Sequence, residues 1–103
     1  MTLKQITEKL KATGLPVAYH TFKTKQNPPY ILILMPGSDN FFADGQVYQK
    51  VENLRIELYT GIKDPATEEK VEQALADMGL AWERSERYIQ SEQQFQIIYE
   101  TEV

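Results

Sequence analysis

A run of six apolar residues from Tyr30 to Met35 constrains the fold most. Successive side chains of a strand point to opposite faces, so a run without polar alternation predicts a strand that is covered on both faces. Pro36 and Gly37 come next and predict the end of the strand. We therefore expect a central strand, with either Leu32 or Leu34 pointing toward the helices and contributing to the core.

The first helix is predicted over about residues 2–13. Thr2 is a suitable N-cap, and Gln5 three positions later completes a capping-box pattern. Gly14 and Pro16 predict the end of the helix, because glycine readily adopts a left-handed turn and proline cannot continue a helix. The apolar residues that recur at helical spacing are Leu3, Ile6 and Leu10.

The second helix is predicted to begin at Asp64 and Pro65, which suit the N-cap and the first helical position. Gly79 predicts its end, as Gly14 does for the first helix. Trp82 is expected to anchor this helix on the sheet. The predicted buried stripe consists of Val71, Ala74, Leu75 and Met78.

The remaining β-prone segments complete a single domain over residues 1–103. Strands are predicted over residues 17–22, from 47 to about 59, and over 81–87 and 93–103, with a loop at Ser38–Gln46. The order is α-β-β-β-α-β-β, which is typical of an α+β fold with a mostly antiparallel sheet. Two arrangements stay open: the helices cover the same face and leave an interface-like surface, or they cover opposite faces.

If both helices cover one face, the other face has a mixed composition. Leu54, Ile56 and Leu58 alternate with polar residues, as do the apolar residues of the last strand. The exposed face would then carry alternate members of 30–35 with Tyr59, Ile98, Arg55, Glu57 and Glu100.

The charge of the chain is unevenly distributed. The net charge is −4 and the isoelectric point is near 5.0, which argues against binding to a phosphate backbone as the main activity. Residues 1–25 carry five lysines and one glutamate, whereas the remaining residues carry a net charge of −8. Either copies associate head to tail through these regions, or both are solvated surfaces.

Residue types that carry chemistry are scarce. The absence of cysteine excludes thiolate chemistry, and the single histidine, His20, fits a structural or surface role better than a general base. Asp39, Asn40 and Asp44 lack the alternation of a calcium loop and are better explained as turn formers. The glutamates at 83, 86 and 92 lie near two arginines and fit a solvated, partly paired surface. We therefore expect no catalytic site, no metal and no cofactor.

The sequence gives no indication of membrane targeting. The first residues lack the apolar core of a signal peptide, and no apolar run approaches the ~20 residues of a membrane span. The sequence therefore predicts a protein that is made and kept in a cytoplasm.

The order of several motifs resembles the tail terminators, also called tail completion or head–tail joining proteins, of long-tailed phages and prophages of Gram-positive bacteria. The resemblance covers nearly the whole chain and is most specific at 38–44 and 55–59. The motifs are GLPVAYH at 14–20, PPYI at 28–31, GSDNFFAD at 37–44, RIELY at 55–59, DP at 64–65 and YETEV at 99–103.

The resemblance implies a structural role in the virion at the head–tail junction, after assembly in the host cytoplasm. Such proteins form a ring, typically a hexamer, on the tail tube, and contact the major tail protein and the head-completion protein. No catalytic residues, specific nucleic-acid binding or membrane binding are implied. An acidic ring would suit a channel through which DNA passes without adhering.

Two kinds of interface residue follow from the sequence. Phe41 and Phe42, next to Asp39 and Asn40, either fold over the core or insert into a neighbouring molecule. The alternative function is a small binding module, an inhibitor or adaptor, that recognises a host or phage protein through the Ser38–Gln46 loop. The other candidate contact, made with the acidic C-terminal strand of a second copy, involves the helix lysines Lys4, Lys9 and Lys11.

Overall fold

The structure, a computed structural model, describes residues 1–38, 41–43, 45–49 and 51–103. Two helices and a five-stranded, mostly antiparallel sheet form an α+β domain, as predicted. The main-sheet strands and helices follow the order α-β-β-β-α-β-β, and a short additional hairpin interrupts the third connection. The elements are α1 (Leu3–Lys11), β1 (Val17–Tyr19), β2 (Tyr30–Ser38), β3 (Phe41–Ala43), β4 (Gln46–Gln49), β5 (Glu52–Thr60), α2 (Pro65–Asp77), β6 (Glu83–Ile89) and β7 (Gln94–Glu102).

Both helices begin at the predicted caps. The Thr2 hydroxyl accepts a hydrogen bond from the Gln5 amide, and the Gln5 side chain accepts one from the Thr2 amide. The Asp64 carboxylate accepts a hydrogen bond from the Thr67 amide, and Pro65 occupies the first turn. These local interactions satisfy amide groups that have no partner within the helix, which explains why sequence alone located both starts.

The main sheet has the strand order β1-β2-β5-β7-β6. β1 and β2 are parallel, and the other neighbouring pairs are antiparallel. β1 ends at Tyr19, earlier than predicted, because His20 has a φ of 68°, which takes the chain out of the extended conformation.

Both helices pack on the same face of this sheet, which decides between the two arrangements that the sequence left open. Trp82 packs against this core, with its ring edge-on to Tyr99. The buried core cluster consists of Ile6, Leu10, Ile31, Ile33, Leu54, Ile56, Leu58, Val71, Ala74, Leu75, Ile97 and Tyr99.

β2 lies inside the sheet as predicted, but the prediction that both of its faces are covered is wrong. Ile31 and Ile33 are fully buried beneath the helices, whereas Leu32 and Leu34 lie half-buried on the other face. The expectation that one of these leucines points toward the helices is therefore also wrong. Strand alternation makes the two sets exclusive, and an uninterrupted apolar run does not indicate which set faces the helices.

The predicted strand end at Pro36 is also wrong, because β2 continues to Ser38. The pairing with β5 shifts register between Leu34 and Gly37. Such an irregularity tolerates a proline that has no amide hydrogen to donate.

The segment predicted as a loop, Ser38–Gln46, instead contributes β3 and the start of β4 to a hairpin, and the single strand predicted from 47 to about 59 is divided between β4 and β5. β3 and β4 pair antiparallel in a separate two-stranded sheet, with Phe42 opposite Val47 and Ala43 opposite Gln46. Gly45 lies between them with a φ of 74°, a conformation that glycine adopts readily.

Candidate interaction surfaces

The predicted interface residues of the 38–46 segment are only partly described. Asp39, Asn40 and Asp44 lie outside the described residues, so the interpretation of this trio as turn formers is not addressed. Phe41 and Phe42 are placed in β3, and the choice between core and interface for their side chains also falls outside the description. That choice stays a prediction.

The three lysines of α1 are exposed but do not form one patch. At about 100° per residue, Lys4 and Lys11 lie in one row along the helix, and Lys9 lies about 140° around it. Lys9 instead lines a cleft of about 510 Å³ between the two helices, together with Lys70 and Asp77. A contact made through α1 therefore uses one flank of the helix or the other.

The most extensive candidate surface is the face of the sheet opposite α1 and α2, here called the open face. Cross-strand register places the side chains of β2, β5, β7 and β6 on it. Its composition agrees with the mixed surface that the alternation predicts. The open face includes Tyr30, Leu32, Leu34, Arg55, Glu57, Tyr59, Arg87, Gln94, Gln96, Ile98 and Glu100.

A chain of polar contacts crosses the centre of the open face. The Tyr59 hydroxyl donates to Glu57 Oε1 at 2.7 Å and accepts from Gln96 Nε2 at 2.8 Å. Arg87 Nε donates to Gln96 Oε1. Arg55 Nε lies 2.8 Å from Glu57 Oε2, although its N–H is not aligned for a hydrogen bond. The chain joins three neighbouring strands through side chains.

The central members of this chain are shielded from water although they lie opposite the helices. Glu57 is 6% exposed and Gln96 is 3% exposed. Burial, reinforced by the hydrogen bond to Glu57, raises the pKa of the Tyr59 phenol far above its usual range. The phenol therefore stays protonated and acts as a donor to the carboxylate.

One end of the open face carries aromatic groups and a basic loop. The rings of Tyr30 and Tyr59 stack with centroids 4.8 Å apart, and Phe22 meets Tyr30 edge-on at 5.5 Å. A cleft of about 670 Å³ opens beside them, lined in part by Lys23 and Lys25.

The opposite end of the open face is acidic. Glu83 and Glu100 are direct cross-strand neighbours, and Glu102 follows on the same face. All three are exposed. Like charges directly opposite each other destabilise a sheet, and Glu100 has Arg55 as its other cross-strand neighbour, on β5.

Sequence reasoning missed an ion-pair cluster, centred on the buried Glu68, that ties α2 to β6. Glu68 is 4% exposed and receives hydrogen bonds from Lys63, at 2.6 Å, and from Arg84. Lys63 and Arg84 also contact Glu86, at 2.7 and 2.9 Å. The hydrogen bond from Lys63 lowers the pKa of Glu86 below its usual range. The spacing of these residues gave no signal, because their contacts form only when α2 packs beside β6.

The described part of the chain does not bring His20 or the acidic residues together into a metal site. His20 is exposed, with its ring edge-on to Tyr19 at 6.4 Å. Among residues 1–38, 41–43, 45–49 and 51–103, no three His, Asp or Glu side chains lie close enough together to hold a metal ion. No described helix is both long enough and apolar enough to cross a membrane.

Comparison with known proteins does not add an assignment. The sequence matches no model of a protein family, and it matches no curated protein.

Proposed function

We propose that this chain is a non-enzymatic virion-assembly protein of a long-tailed phage or prophage, a tail terminator that forms a ring at the head–tail junction. The proposal rests on the motif resemblance and on one structural observation. That observation is the placement of the α1 lysines and of the acidic end of the open face on opposite sides of the sheet.

This placement favours contacts between copies. α1, with Lys4 and Lys11 exposed, packs on one face, whereas Glu100 and Glu102 lie on the other. The two surfaces therefore cannot meet within one copy. A contact that joins two different patches is heterologous, and its repetition closes a ring or extends as a filament.

The open face supplies a second argument for an interface. Its apolar and aromatic groups alternate with hydrogen-bonded polar groups, and this composition resembles a protein interface more than a domain core. Its proposed partners are the neighbouring copy, the major tail protein and the head-completion protein.

The test combines mass in solution with presence in the virion. Light scattering at high protein concentration and low salt should detect assemblies that weaken as salt rises past ~0.15 M, because the pairing is electrostatic. Purified tails should contain a ring of copies, typically six. A monomer in solution together with absence from virions would refute the proposal.

Charge-reversed variants locate the contact. Lys4→Glu with Lys11→Glu tests one flank of α1, and Lys9→Glu tests the other flank. One of these variants should assemble more weakly at low salt. Assembly should be restored when that variant is mixed with a Glu100→Lys, Glu102→Lys variant. If neither flank affects assembly, α1 is not the contact.

The neighbouring genes discriminate between this function and the binding module. Terminase, portal, capsid and tail-tube genes nearby would favour the virion protein. An isolated gene, or one beside a nuclease gene, would favour a module that recognises a partner through Ser38–Gln46.

A further inference from the structure

β6 forms one edge of the main sheet and is long enough to accept another strand. It is seven residues long and pairs with β7 on one side. No other strand in the described ranges pairs with its outer side. An open edge of this length presents backbone donors and acceptors to a partner strand. The opposite edge strand, β1, has only three residues.

The charges of β6 are self-complementary about Ser85. The sequence from Glu83 to Arg87 is acidic, basic, neutral, acidic, basic. When two such strands run antiparallel with Ser85 on the two-fold axis, every charge meets an opposite charge. Glu83 then lies opposite Arg87 of the second copy, and Arg84 lies opposite Glu86.

We propose that the outer edge of β6 pairs with β6 of a second copy in this register and joins two sheets into one of ten strands. Neither α1 nor the ring is involved, so the inference goes beyond the proposed function and does not depend on it. The pairing is isologous, and a two-fold contact closes after two copies.

The register is specified by the same charges. Residues that lie directly opposite each other in a continuous sheet point to the same face. A two-fold pairing therefore always places one residue opposite its own counterpart, and the nearest alternative registers move this position from Ser85 to an adjacent residue. One of these registers places Arg84 opposite Arg84 of the second copy, and the other places Glu86 opposite Glu86 of the second copy. Both alternatives pair like charges, which disfavours them.

Neighbouring side chains fit the same register. Tyr88, which is 50% exposed, would lie opposite the half-buried Trp82 of the second copy, on the face that carries the helices. The clusters that contain Lys63 and Glu68 would then approach each other across the axis. The small Ser85 side chains leave room at the axis.

Charges on an edge strand can also prevent pairing with another strand. Exchanging the charges at positions 83 and 87 distinguishes charges that prevent pairing from charges that specify it. Glu83→Arg makes positions 83 and 87 both basic, and Arg87→Glu makes both acidic. Each variant alone should weaken dimerisation about tenfold, because two like-charge pairs replace two ion pairs. The double variant restores complementarity and should dimerise as the original chain does.

The decisive experiment mixes the two single variants in equal amounts. In a mixed dimer each basic position faces an acidic one, so the mixture should dimerise although neither component does so well. Sedimentation velocity at ~0.1 M salt measures the masses, and thermal melts followed by circular dichroism confirm that each variant is folded. An original chain that stays monomeric up to ~1 mM, or a mixture no more dimeric than its components, would overturn the proposal.

A separate variant keeps this test independent of the ring. Lys4→Glu with Lys11→Glu alters the proposed ring contact but leaves β6 unchanged. It should therefore dimerise through β6 as the original chain does, whether or not it forms the ring.

Discussion

The hydroxyl of Tyr59 donates a hydrogen bond of 2.7 Å to Oε1 of Glu57, two positions away on the same strand. Alternation along β5 places both side chains on the open face, where Glu57 is nonetheless 6% exposed. A buried carboxylate is costly unless charged and hydrogen-bonding partners surround it. The centre of the open face therefore consists of side chains that are hydrogen-bonded to one another and shielded from water.

Removing the Tyr59 hydroxyl should destabilise the protein. Tyr59→Phe takes a donor from Glu57 and an acceptor from Gln96, and we expect a loss of about 1–3 kcal/mol in the free energy of unfolding. Urea denaturation measures it. The matched control is Tyr88→Phe at the half-exposed Tyr88, for which the expected change is near zero. Equal effects of the two substitutions would contradict the account of the open face.

Adjacent residues of β2 should differ in their contribution to stability. Ile33→Ala removes a fully buried side chain beneath the helices and should cost about 2–5 kcal/mol. Leu32→Ala removes a half-buried side chain on the open face and should cost clearly less. Chemical denaturation compares the two variants. A larger loss for Leu32→Ala would reverse the assignment of the two faces.

The cluster around Lys63 predicts a dependence of stability on pH. The hydrogen bond from Lys63 lowers the pKa of Glu86 below its ordinary value near 4.5. A lowered carboxyl pKa contributes stability above the ordinary value, and this contribution is lost as the pH falls through the folded-state value. Lys63→Met should therefore lower the melting temperature at pH 7 more than at pH 3. Lys4→Met is the control, and a uniform shift across this range would refute the linkage.

The turn between β6 and β7 contains a residue that glycine should replace favourably. Gln93 has a φ of 52°, a left-handed conformation that costs a non-glycine residue about 1 kcal/mol. Gln93→Gly should therefore raise the free energy of unfolding by up to about 1 kcal/mol, less the added flexibility of the unfolded chain. Thermal melts measure this change. Gln90→Gly, which relieves no positive φ, should not stabilise the protein.

Much of the open face could be anticipated from β5 and β7. Strict alternation separates Leu54, Ile56 and Leu58 from Arg55, Glu57 and Tyr59, because side chains of a strand point to opposite faces by geometry alone. The same reasoning failed for β2, where both sets of alternate residues are apolar. There the pattern carried no information about which set faces the helices.

The candidate site was less predictable than the fold. The sequence located three basic residues on α1, and helix geometry alone separates Lys9 from Lys4 and Lys11. That Lys9 lines a cleft beside α2 depends on how the two helices pack. The sequence grouped Glu86 with a solvated, partly paired surface near Arg84, and Glu86 is exposed and paired with Arg84. The additional contact with Lys63 depends on the packing of α2 beside β6 and was not predicted. Contacts between residues far apart in sequence leave no local periodicity to detect.

By itself, the sequence determined the order of the helices and main-sheet strands, the helix starts at Thr2 and Asp64 and the alternation of the strands. These features depend on capping hydrogen bonds and backbone geometry within a few residues of the chain. Only the tertiary structure decided that both helices share one face and that β6 forms an edge. It also decided that Glu57 and Glu68 are buried with partners. These outcomes depend on which apolar surfaces pack together across the whole chain, and packing between distant segments is not encoded in any single stretch of residues.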